Sequence, residues 1–555
     1  MNRFKFPLRL LFVFLLAACG RATEPPPPTP PVAFSVPPPP GLPVPTATQP
    51  PVTPTIPAAT PAGFTGQPIA VDAGDPLGPA SAIGDFVGIQ GPPNTVDWDD
   101  PDVWVVEAWR NLGLSAAEVA LFREDDDYSV VVTRNAQGKI DLDFTRFDKF
   151  LGYLLNALGA RQVRFSTIFV PRALSSKPDD PGYPYYSPKD YKEWADVVTQ
   201  TVTHLQDKWG LTRQSFQTWT EPETYRYWRG HSRKKDDPKL LQDFVEHYVN
   251  TWRAIKAADP TAKVGGPMTI YSDNGVVNQP WGFEDFVREL AAYNTAHPDA
   301  PVTLDEAVWQ DYDWAGSGRL AGGAAKAREA LAKYSFPADT PLIVVGWNTD
   351  KFNYPKCGNV SLPYHASFAA ASIIHELSSG STRDVTQAYW WPFEYDWGCA
   401  GLGLVTYPVS EFTVTDPTGA NEPFTIPTVT EYCKRPAYAA FEMLKAMEAG
   451  KFVGLALPAG STLEAMAVRD DSAHHVIAIV ANHAGADQAA TLTFNHLPFG
   501  AEAVTGTLQQ IDKTHSADCK GLEAGTRSRI AVSGGAVEVT LSLPAYSVAQ
   551  ITLEP

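Results

Sequence analysis

The chain has 555 residues, more than one hydrophobic core supports, which predicts two or three domains. Hydrophobic residues make up 44% of it and charged residues 19%, as in globular proteins, so a disordered or membrane-spanning class is excluded. The formal net charge of −18 excludes nucleic acid as an expected partner, because proteins that bind nucleic acid need a basic face.

The first residues have the pattern of a bacterial lipoprotein signal. Basic residues within the first nine precede an apolar run at 10–16. Such a run is too short to span ~30 Å of hydrocarbon, which indicates a cleaved signal peptide. Residues 16–19 read Leu-Ala-Ala-Cys and resemble the lipobox, so we expect residues 1–19 to be the signal and Cys19 to carry the lipid. The expected location is extracytoplasmic, with the protein anchored to the bacterial cell membrane through lipidated Cys19.

A proline-rich and threonine-rich linker follows at residues 20–63. Its composition cannot bury a core and is typical of an extended polyproline spacer. At ~3.1 Å per residue, the segment rich in proline would extend on the order of 100 Å. We therefore expect the globular part to stand clear of the membrane.

Residues 83–449 alternate strand-like apolar runs with amphipathic helical stretches, the pattern of parallel βα units. The helices include 143–158, 238–258, 324–334 and one that begins with Ser187 as its N-cap and stops at Gly210. Eight strands with helical crossovers over this length predict a (β/α)₈ TIM barrel. The predicted strands are 88–90, 118–122, 162–170, 215–219, 263–266, 302–309, 342–347 and 385–390.

After residue 449 the pattern changes to short strands bounded by turn residues, without helices between them. This predicts a C-terminal antiparallel β-sandwich over 450–555. The segment 64–82 precedes the first barrel strand and is a candidate member of that sandwich. The predicted strands are 462–468, 476–482, 490–494, 536–541 and 548–553.

Four cysteines follow the linker, and an even number in an exported protein predicts disulfides. Loops after strands seven and eight are neighbours in a barrel, so we expect Cys357 to pair with Cys399. This leaves Cys433 and Cys519 for each other or free.

Active sites of such barrels lie at the C-terminal ends of the strands. Four predicted strand ends carry polar and aromatic residues together, at 219–223, 309–312, 347–350 and 389–394. Carboxylates beside aromatic rings suit glycosidic cleavage, where one carboxyl protonates the leaving oxygen and a second acts as nucleophile or base. We therefore expect an oligo- or polysaccharide as partner. The sequence has no CxxC or HExxH motif, so neither a metal nor a cofactor is expected.

At this point the sequence resembles a known family. Residues 219–222, Trp-Thr-Glu-Pro, look like the W-N-E-P signature on strand four of clan A glycoside hydrolases. Further runs are similar to glycoside hydrolase family 39, the β-xylosidase and α-L-iduronidase family, and the likeness extends from about residue 83 to the C-terminus. The resemblance implies a retaining glycosidase fold with Glu221 as general acid/base. The similar runs are 186–195, 254–260, 264–267, 401–404, 435–441 and 543–548.

Three residues depart from the pattern of that family. Its strand seven ends in a T-E-W-N-like motif whose Glu is the nucleophile, and Gly346 occupies that position here. Thr220 replaces the Asn of W-N-E-P, which holds the sugar 2-hydroxyl. Gln310 replaces the His of the strand-six W-H-x-Y motif, whereas Trp309 and Tyr312 remain. Losing a nucleophile removes most of the rate from a mechanism with a covalent intermediate.

Three hypotheses stay open. The first is an active glycosidase in which Glu221 is the acid and a displaced carboxylate, Glu394, Asp350 or Asp311, is the second group. Inversion would fit this arrangement, because a base that acts through water lies ~6.5–9.5 Å from the acid. The second is a catalytically inactive carbohydrate-binding lipoprotein with tryptophan platforms, and the third is a structural surface protein. Glu221 favours catalysis and Gly346 favours binding. The candidate substrate-binding residues are Trp219, Thr220, Trp309, Gln310, Tyr312, Trp347, Asn348, Trp390 and Glu394.

Overall fold

The structure is a computed structural model of the chain. The described part forms one compact unit within Ala59–Pro555. Cys19, the linker, Asp350 and the cysteines at 357, 399 and 519 lie outside the described residues. Among the helices that the structure describes, none has both the length and the apolar character needed to cross a membrane. The described residues are 66–93, 98, 101–124, 128–270, 280–313, 320–349, 362–378, 385–394, 403–406, 412–414, 424–426, 431–500, 502–517 and 520–555.

Strands and helices follow one another between residues 67 and 445. The first eleven strands are β1 (Gln67–Pro79), β2 (Val87–Gln90), β3 (Ala116–Ala120), β4 (Val131–Arg134), β5 (Ile140–Asp143), β6 (Gln162–Ser166), β7 (Ser215–Gln217), β8 (Lys263–Thr269), β9 (Glu306–Asp313), β10 (Leu342–Thr349) and β11 (Gln387–Trp390). The α-helices are α1 (Ala82–Phe86), α2 (Val103–Asn111), α3 (Thr145–Gly152), α4 (Tyr191–Trp209), α5 (Lys239–Ala258), α6 (Phe283–Ala296), α7 (Ala321–Lys333), α8 (Leu362–Ser378) and α9 (Pro436–Lys445).

Eight of these strands close into a barrel in the order β10-β11-β2-β3-β6-β7-β8-β9. Every neighbouring pair is parallel. The predicted (β/α)₈ barrel is therefore confirmed, and β7, β9 and β10 are its strands four, six and seven. Strand six begins later than predicted, at Glu306, because the chain from 301 to 305 crosses from α6 without strand pairing.

The barrel interior is filled with side chains. Met268, Val308, Ile343 and Tyr389 pack there in one apolar cluster. An ion pair of 2.7 Å between Arg164 and Glu306 is also buried, with both side chains at most 3% exposed. Because the interior is closed, a site in this barrel is expected at the mouth, where the strands end.

The helix before strand four begins three residues later than predicted. Asp190 is its N-cap, and the Asp190 carboxylate accepts a hydrogen bond from the Lys192 N–H at 2.7 Å. Ser187 precedes the helix, and its N–H donates to the Gly230 carbonyl at 2.9 Å, in the loop after strand four. The helix ends as predicted at Gly210, whose φ of 66° is left-handed. The predicted helix 143–158 is α3 followed by a π-helical turn at Tyr153–Ala157.

The last part of the chain is rich in strands. The strands are β12 (Val405–Thr406), β13 (Phe412–Val414), β14 (Phe424–Ile426), β15 (Cys433–Lys434), β16 (Lys451–Ala456), β17 (Leu463–Asp470), β18 (His475–Asn482), β19 (Gln488–Asn495), β20 (Ala503–Ile511), β21 (Thr526–Ala531), β22 (Val537–Leu543) and β23 (Ser547–Glu554). A nine-stranded sheet has the order β21-β20-β23-β18-β17-β16-β1-β19-β22. Its β1–β19 pair is parallel, unlike the all-antiparallel arrangement expected, because no hairpin fixes the direction of a strand so distant in sequence.

The two faces of this sheet have different partners. Along β17, Ala465 and Ala467 belong to the core of the sheet domain, whereas Met466 and Val468 join the large barrel core. This alternation follows from the two-residue period of a strand. The sheet therefore packs against the barrel within one unit, next to α8.

Cys433 is buried and disulfide-bonded. Its partner lies outside the described residues, so the pairings expected for Cys357, Cys399 and Cys519 stay predictions.

Candidate active site

Glu221 lies four residues beyond the end of strand four, on a strained turn. Its φ is 46°, in the left-handed region, and its side chain is 8% exposed. The Glu221 N–H donates to the Met268 carbonyl at 2.9 Å, on strand five, and the Glu221 carbonyl accepts from the Thr224 N–H at 3.0 Å and the Thr224 hydroxyl at 2.8 Å. A non-glycine residue with positive φ costs about 1–3 kcal/mol and persists only where the surroundings fix it, most often at functional sites.

The predicted tryptophan platforms are not open to a ligand. Trp219, Trp309, Trp347 and Trp390 each have less than 2% of their surface exposed. The Trp219 indole N–H donates to the Tyr227 carbonyl at 2.9 Å. The Trp347 and Trp390 rings pack edge to face at 4.9 Å. A sugar needs an exposed ring face, so we correct the expectation: these rings belong to the core that supports the mouth.

Gly346 is enclosed by side chains from strands one and six. It lies at a register shift of β10 against both neighbouring strands, with a φ of 87°. A Cβ atom on Gly346 would stand 2.6 Å from Gln90 Oε1, 3.2 Å from Gln310 Cγ and 3.2 Å from the Tyr312 hydroxyl. The space beside this strand-seven position is therefore filled by two amides and a phenol.

Two of the residues that depart from the family pattern contact each other. The Gln310 Nε2 group donates to Thr220 Oγ1 at 3.3 Å, which joins strand six to the turn before Glu221. Gln310 Oε1 and Gln90 Oε1 are buried acceptors for which the described residues supply no donor. Gln310 and Tyr312 thus lie beside Gly346, and Thr220 contacts Gln310.

Asn348 has a structural role instead of the predicted substrate contact. It is fully buried, and its Nδ2 group donates to the Trp391 carbonyl. Its Oδ1 atom accepts the Thr349 N–H at 2.6 Å, and the Thr349 hydroxyl lies 2.7 Å from His365 Nδ1 on α8. These bonds join the ends of strands seven and eight.

Glu394 belongs to the segment that follows strand eight. It is 9% exposed and follows strand eight, which is opposite strand four in the ring of eight. Burial, with the Glu394 charge as the next cause, raises the pKa of Tyr153. Burial also raises the pKa of Tyr432, followed by the charges of Asp102 and Glu394. Tyr153 belongs to the helical layer after strand two, so the Glu394 charge acts on a phenol of that layer.

Comparison with known proteins assigns the chain to a family. The family model described as glycosyl hydrolases family 39 matches residues 106–520. The chain belongs to glycosyl hydrolases family 39. A β-xylosidase from Geobacillus stearothermophilus is 31% identical over 167 residues, 28% of this chain and 29% of that protein. A β-xylosidase from Caldicellulosiruptor saccharolyticus is 25% identical over 269 residues, 45% of this chain and 49% of that protein. The chain thus matches less than half the length of each of these relatives.

Structural similarity extends further than sequence similarity. The crystal structure of the GH39 enzyme from Xanthomonas axonopodis pv. citri has a TM-score of 0.63 and 19% identity, covering 90% of this chain and 99% of that one. At this identity the likeness shows a shared fold. Within the part of this family 39 chain that the structure describes, no group of three or more His, Cys, Asp or Glu side chains is placed to hold a metal ion.

Two mouth residues of this family 39 chain were not among the predicted candidates, although Trp391 lies within the predicted strand end 389–394. Gln90 is the last residue of strand one and is partly exposed; its polar side chain at a strand end was the available signal. Trp391 is also partly exposed, and its ring stands perpendicular to Tyr312 at 6.2 Å. Trp391, and not the buried Trp390 beside it, has a surface that a sugar ring can reach.

Proposed function

We propose that this family 39 chain hydrolyses O-glycosidic bonds of a saccharide, with Glu221 as the general acid/base. The observation that carries the proposal is the backbone of Glu221, held in a strained conformation by strand five and Thr224. In this mechanism Glu221 protonates the glycosidic oxygen as its bond to the anomeric carbon breaks. Trp391 would offer an apolar surface to the sugar.

We further propose that Gly346 stands where family members carry the nucleophile. The crowding of this position by Gln90, Gln310 and Tyr312 supports a mechanism without a covalent intermediate on strand seven. The second carboxylate is unassigned. Side chains alternate along a strand, so Asp311 faces away from Gln310 and Tyr312 and is a poor candidate. Glu394 follows strand eight, opposite strand four, and Asp350 lies outside the described residues.

A second function, saccharide binding without hydrolysis, is favoured by the same glycine. A chain that has lost its nucleophile keeps a cleft and its aromatic surface. In that case Glu221 would contact the bound sugar without transferring a proton.

For the location, we propose attachment to the outer face of the cell membrane through lipidated Cys19. The lipobox-like sequence and the proline-rich linker behind it support this proposal. The mature enzyme would then meet its saccharide outside the cytoplasm.

The test is hydrolysis of a panel of glycosides by wild type and Glu221→Gln. β-Xylosides are tested first, because the two sequence relatives named above are β-xylosidases. We expect the variant to lose ~10²–10⁴ of the rate on substrates with poor leaving groups and less on aryl glycosides, whose leaving groups need little protonation.

Glu223→Gln is the matched control. Glu223 lies on the same turn, and its Oε1 atom accepts the Ile270 N–H at 2.7 Å, a bond that a glutamine oxygen can also accept. Equal losses in both variants, or no loss in Glu221→Gln, would remove Glu221 from the mechanism. Absence of turnover by the wild type on every substrate, with saccharide binding retained, would establish the second function.

A further inference from the structure

Helix α5 carries three buried polar residues on one of its faces. Asp243, His247 and Thr251 are spaced four residues apart, so they lie along the same side of the helix. Their exposed fractions are 5%, 0% and 0%. A buried polar group costs free energy unless it is hydrogen-bonded, so the partners of each residue indicate what holds it in place.

Two of these three residues have clear partners. The Asp243 carboxylate accepts from two nitrogens of the Arg233 guanidinium, at 2.9 and 3.1 Å, and from the His231 N–H at 2.8 Å. The Thr251 hydroxyl accepts from the Trp194 indole N–H at 2.9 Å. These bonds join α5 to the loop after strand four and to α4.

The third residue, His247, breaks this rule. Neither of its ring nitrogens has a hydrogen-bond partner among the described residues. Burial, followed by the charge of His231, lowers the pKa of His247 to about 3, so near pH 7 the ring is neutral and carries one N–H. A phenylalanine would pack here without an unbonded polar group, so stability does not explain the imidazole. Residues that break a local rule in this way are expected at functional or strained sites.

The aromatic rings around His247 differ in their orientation. The Trp219 ring lies 5.0 Å from the imidazole, and the angle between the two planes is 80°. An N–H in the plane of one ring points at the face of another only where the planes are nearly perpendicular. Among the rings that the structure describes, Trp219 is therefore the one placed to accept the His247 N–H. The other ring neighbours are tilted by only 30–51°: Tyr191, Trp194, Trp228 and Phe244.

Trp219 leads directly into the turn of the proposed acid. It stands two residues before Glu221. Its indole N–H is already bonded to the Tyr227 carbonyl, and its ring meets Phe169, after strand three, edge to face at 5.4 Å. The contact with His247 adds a support from α5. A shift of the Trp219 ring would move the backbone of Glu221, whose left-handed φ persists only while its surroundings fix it.

We propose that His247 is a positioning residue for Glu221, with an imidazole N–H directed at the Trp219 ring. This inference rests on the proposed function for the role of Glu221 as the acid. His247 is fully buried and does not touch the substrate. It acts through Trp219, because proton transfer requires the carboxyl to stay within hydrogen-bond reach of the leaving oxygen. A small displacement of the acid lowers the rate without weakening the binding of the sugar.

NMR of the full chain, labelled with ¹⁵N in the histidine rings, tests the contact. The His247 N–H signal is identified by its absence from His247→Phe. We expect this signal upfield of ordinary imidazole N–H signals, because a proton above an aromatic face is shielded, and we expect slow exchange with solvent. A signal at the ordinary position, or no signal protected from exchange, would overturn the proposal. His247→Leu serves the same purpose if phenylalanine prevents folding.

Kinetics test the consequence for Glu221. We expect His247→Phe to lower kcat about tenfold on β-xylosides with poor leaving groups and less than about twofold on activated aryl xylosides, with KM unchanged. Phe244→Leu is the matched control, because the Phe244 ring contacts His247 and Trp228 in the same cluster. This control removes packing but keeps the imidazole, so it should lower stability and keep the wild-type dependence on the leaving group.

Three kinetic outcomes would overturn the inference: equal losses in His247→Phe and Phe244→Leu, a loss that is the same for every leaving group, or no loss in His247→Phe. Failure of the proposed function has a different signature, the absence of turnover by the wild type. In that case crystal structures decide the inference. A Glu221 carboxyl displaced in His247→Phe but not in Phe244→Leu would support it, and identical positions in both variants and the wild type would overturn it.

Discussion

Replacing Gly346 with alanine tests whether strand seven can carry a side chain at all. A φ of 87° costs a non-glycine residue about 1–3 kcal/mol. The new Cβ atom would also lie 2.6 Å from Gln90 Oε1, and overpacking of this kind costs about 1–3 kcal/mol. We therefore expect Gly346→Ala to lower the free energy of unfolding by about 2–6 kcal/mol, measured by urea unfolding followed by tryptophan fluorescence.

Gly138→Ala separates the two contributions. Gly138 has a φ of 77°, and a Cβ atom added to it would meet no other atom within 4 Å, so its replacement introduces backbone strain without crowding. Adding Gln90→Ala to Gly346→Ala should relieve the crowding and recover that part of the stability, because the flexible amide is the closest group. If Gly346→Ala is no more destabilising than Gly138→Ala, the reasoning about crowding is refuted. If the crowding is real, Gly346→Glu should unfold or distort the mouth instead of creating a nucleophile.

Two further predictions concern acid stability and anchoring. Burial, and secondarily His231, lowers the pKa of His247 to about 3, so between pH 6.5 and 3 the unfolded chain binds more protons and stability falls as pH falls. From pH 7 to 4.5, His247 lowers the free energy of unfolding by about 2–3 kcal/mol. His247→Phe should remove this decrease, measured by urea unfolding, while the similar contribution of His365 remains. A variant with the wild-type pH dependence would disprove this. Cys19→Ala should move the folded protein from the membrane fraction to the soluble fraction, and a variant that still sediments with membranes would show that the anchor lies elsewhere.

The barrel could be predicted because the sequence pattern of each strand and helix lies within a short stretch of the chain. Each βα unit combines an apolar strand with an amphipathic helix, and the residues after strand four form a short, contiguous motif around Glu221. The edge strand β21 was not predicted, because its residues are mostly exposed and include the charged Arg527 and Arg529, as is common in edge strands. An alternating charged strand gives no apolar signal.

The side-chain environments at the mouth could not be predicted, because they depend on contacts between distant strands. Trp390 and Trp391 are neighbours in sequence, yet only Trp391 is partly exposed. The enclosure of Gly346 by Gln90 results from a register shift and from strand one approaching strand seven across strand eight. Composition and spacing contain neither fact.

The place of β1 in the sheet has a consequence for how the polypeptide is made. This strand is translated before the barrel, but both of its partners, β16 and β19, follow the barrel. The backbone N–H and carbonyl groups of β1 have no strand partner until β16 and β19 have been synthesised, near the end of translation. A fragment that starts at residue 450 would lack the strand that joins six strands on one side to two on the other. We therefore expect the C-terminal segment to be a poor module for transplantation and the barrel to be, in effect, an insertion within one sheet.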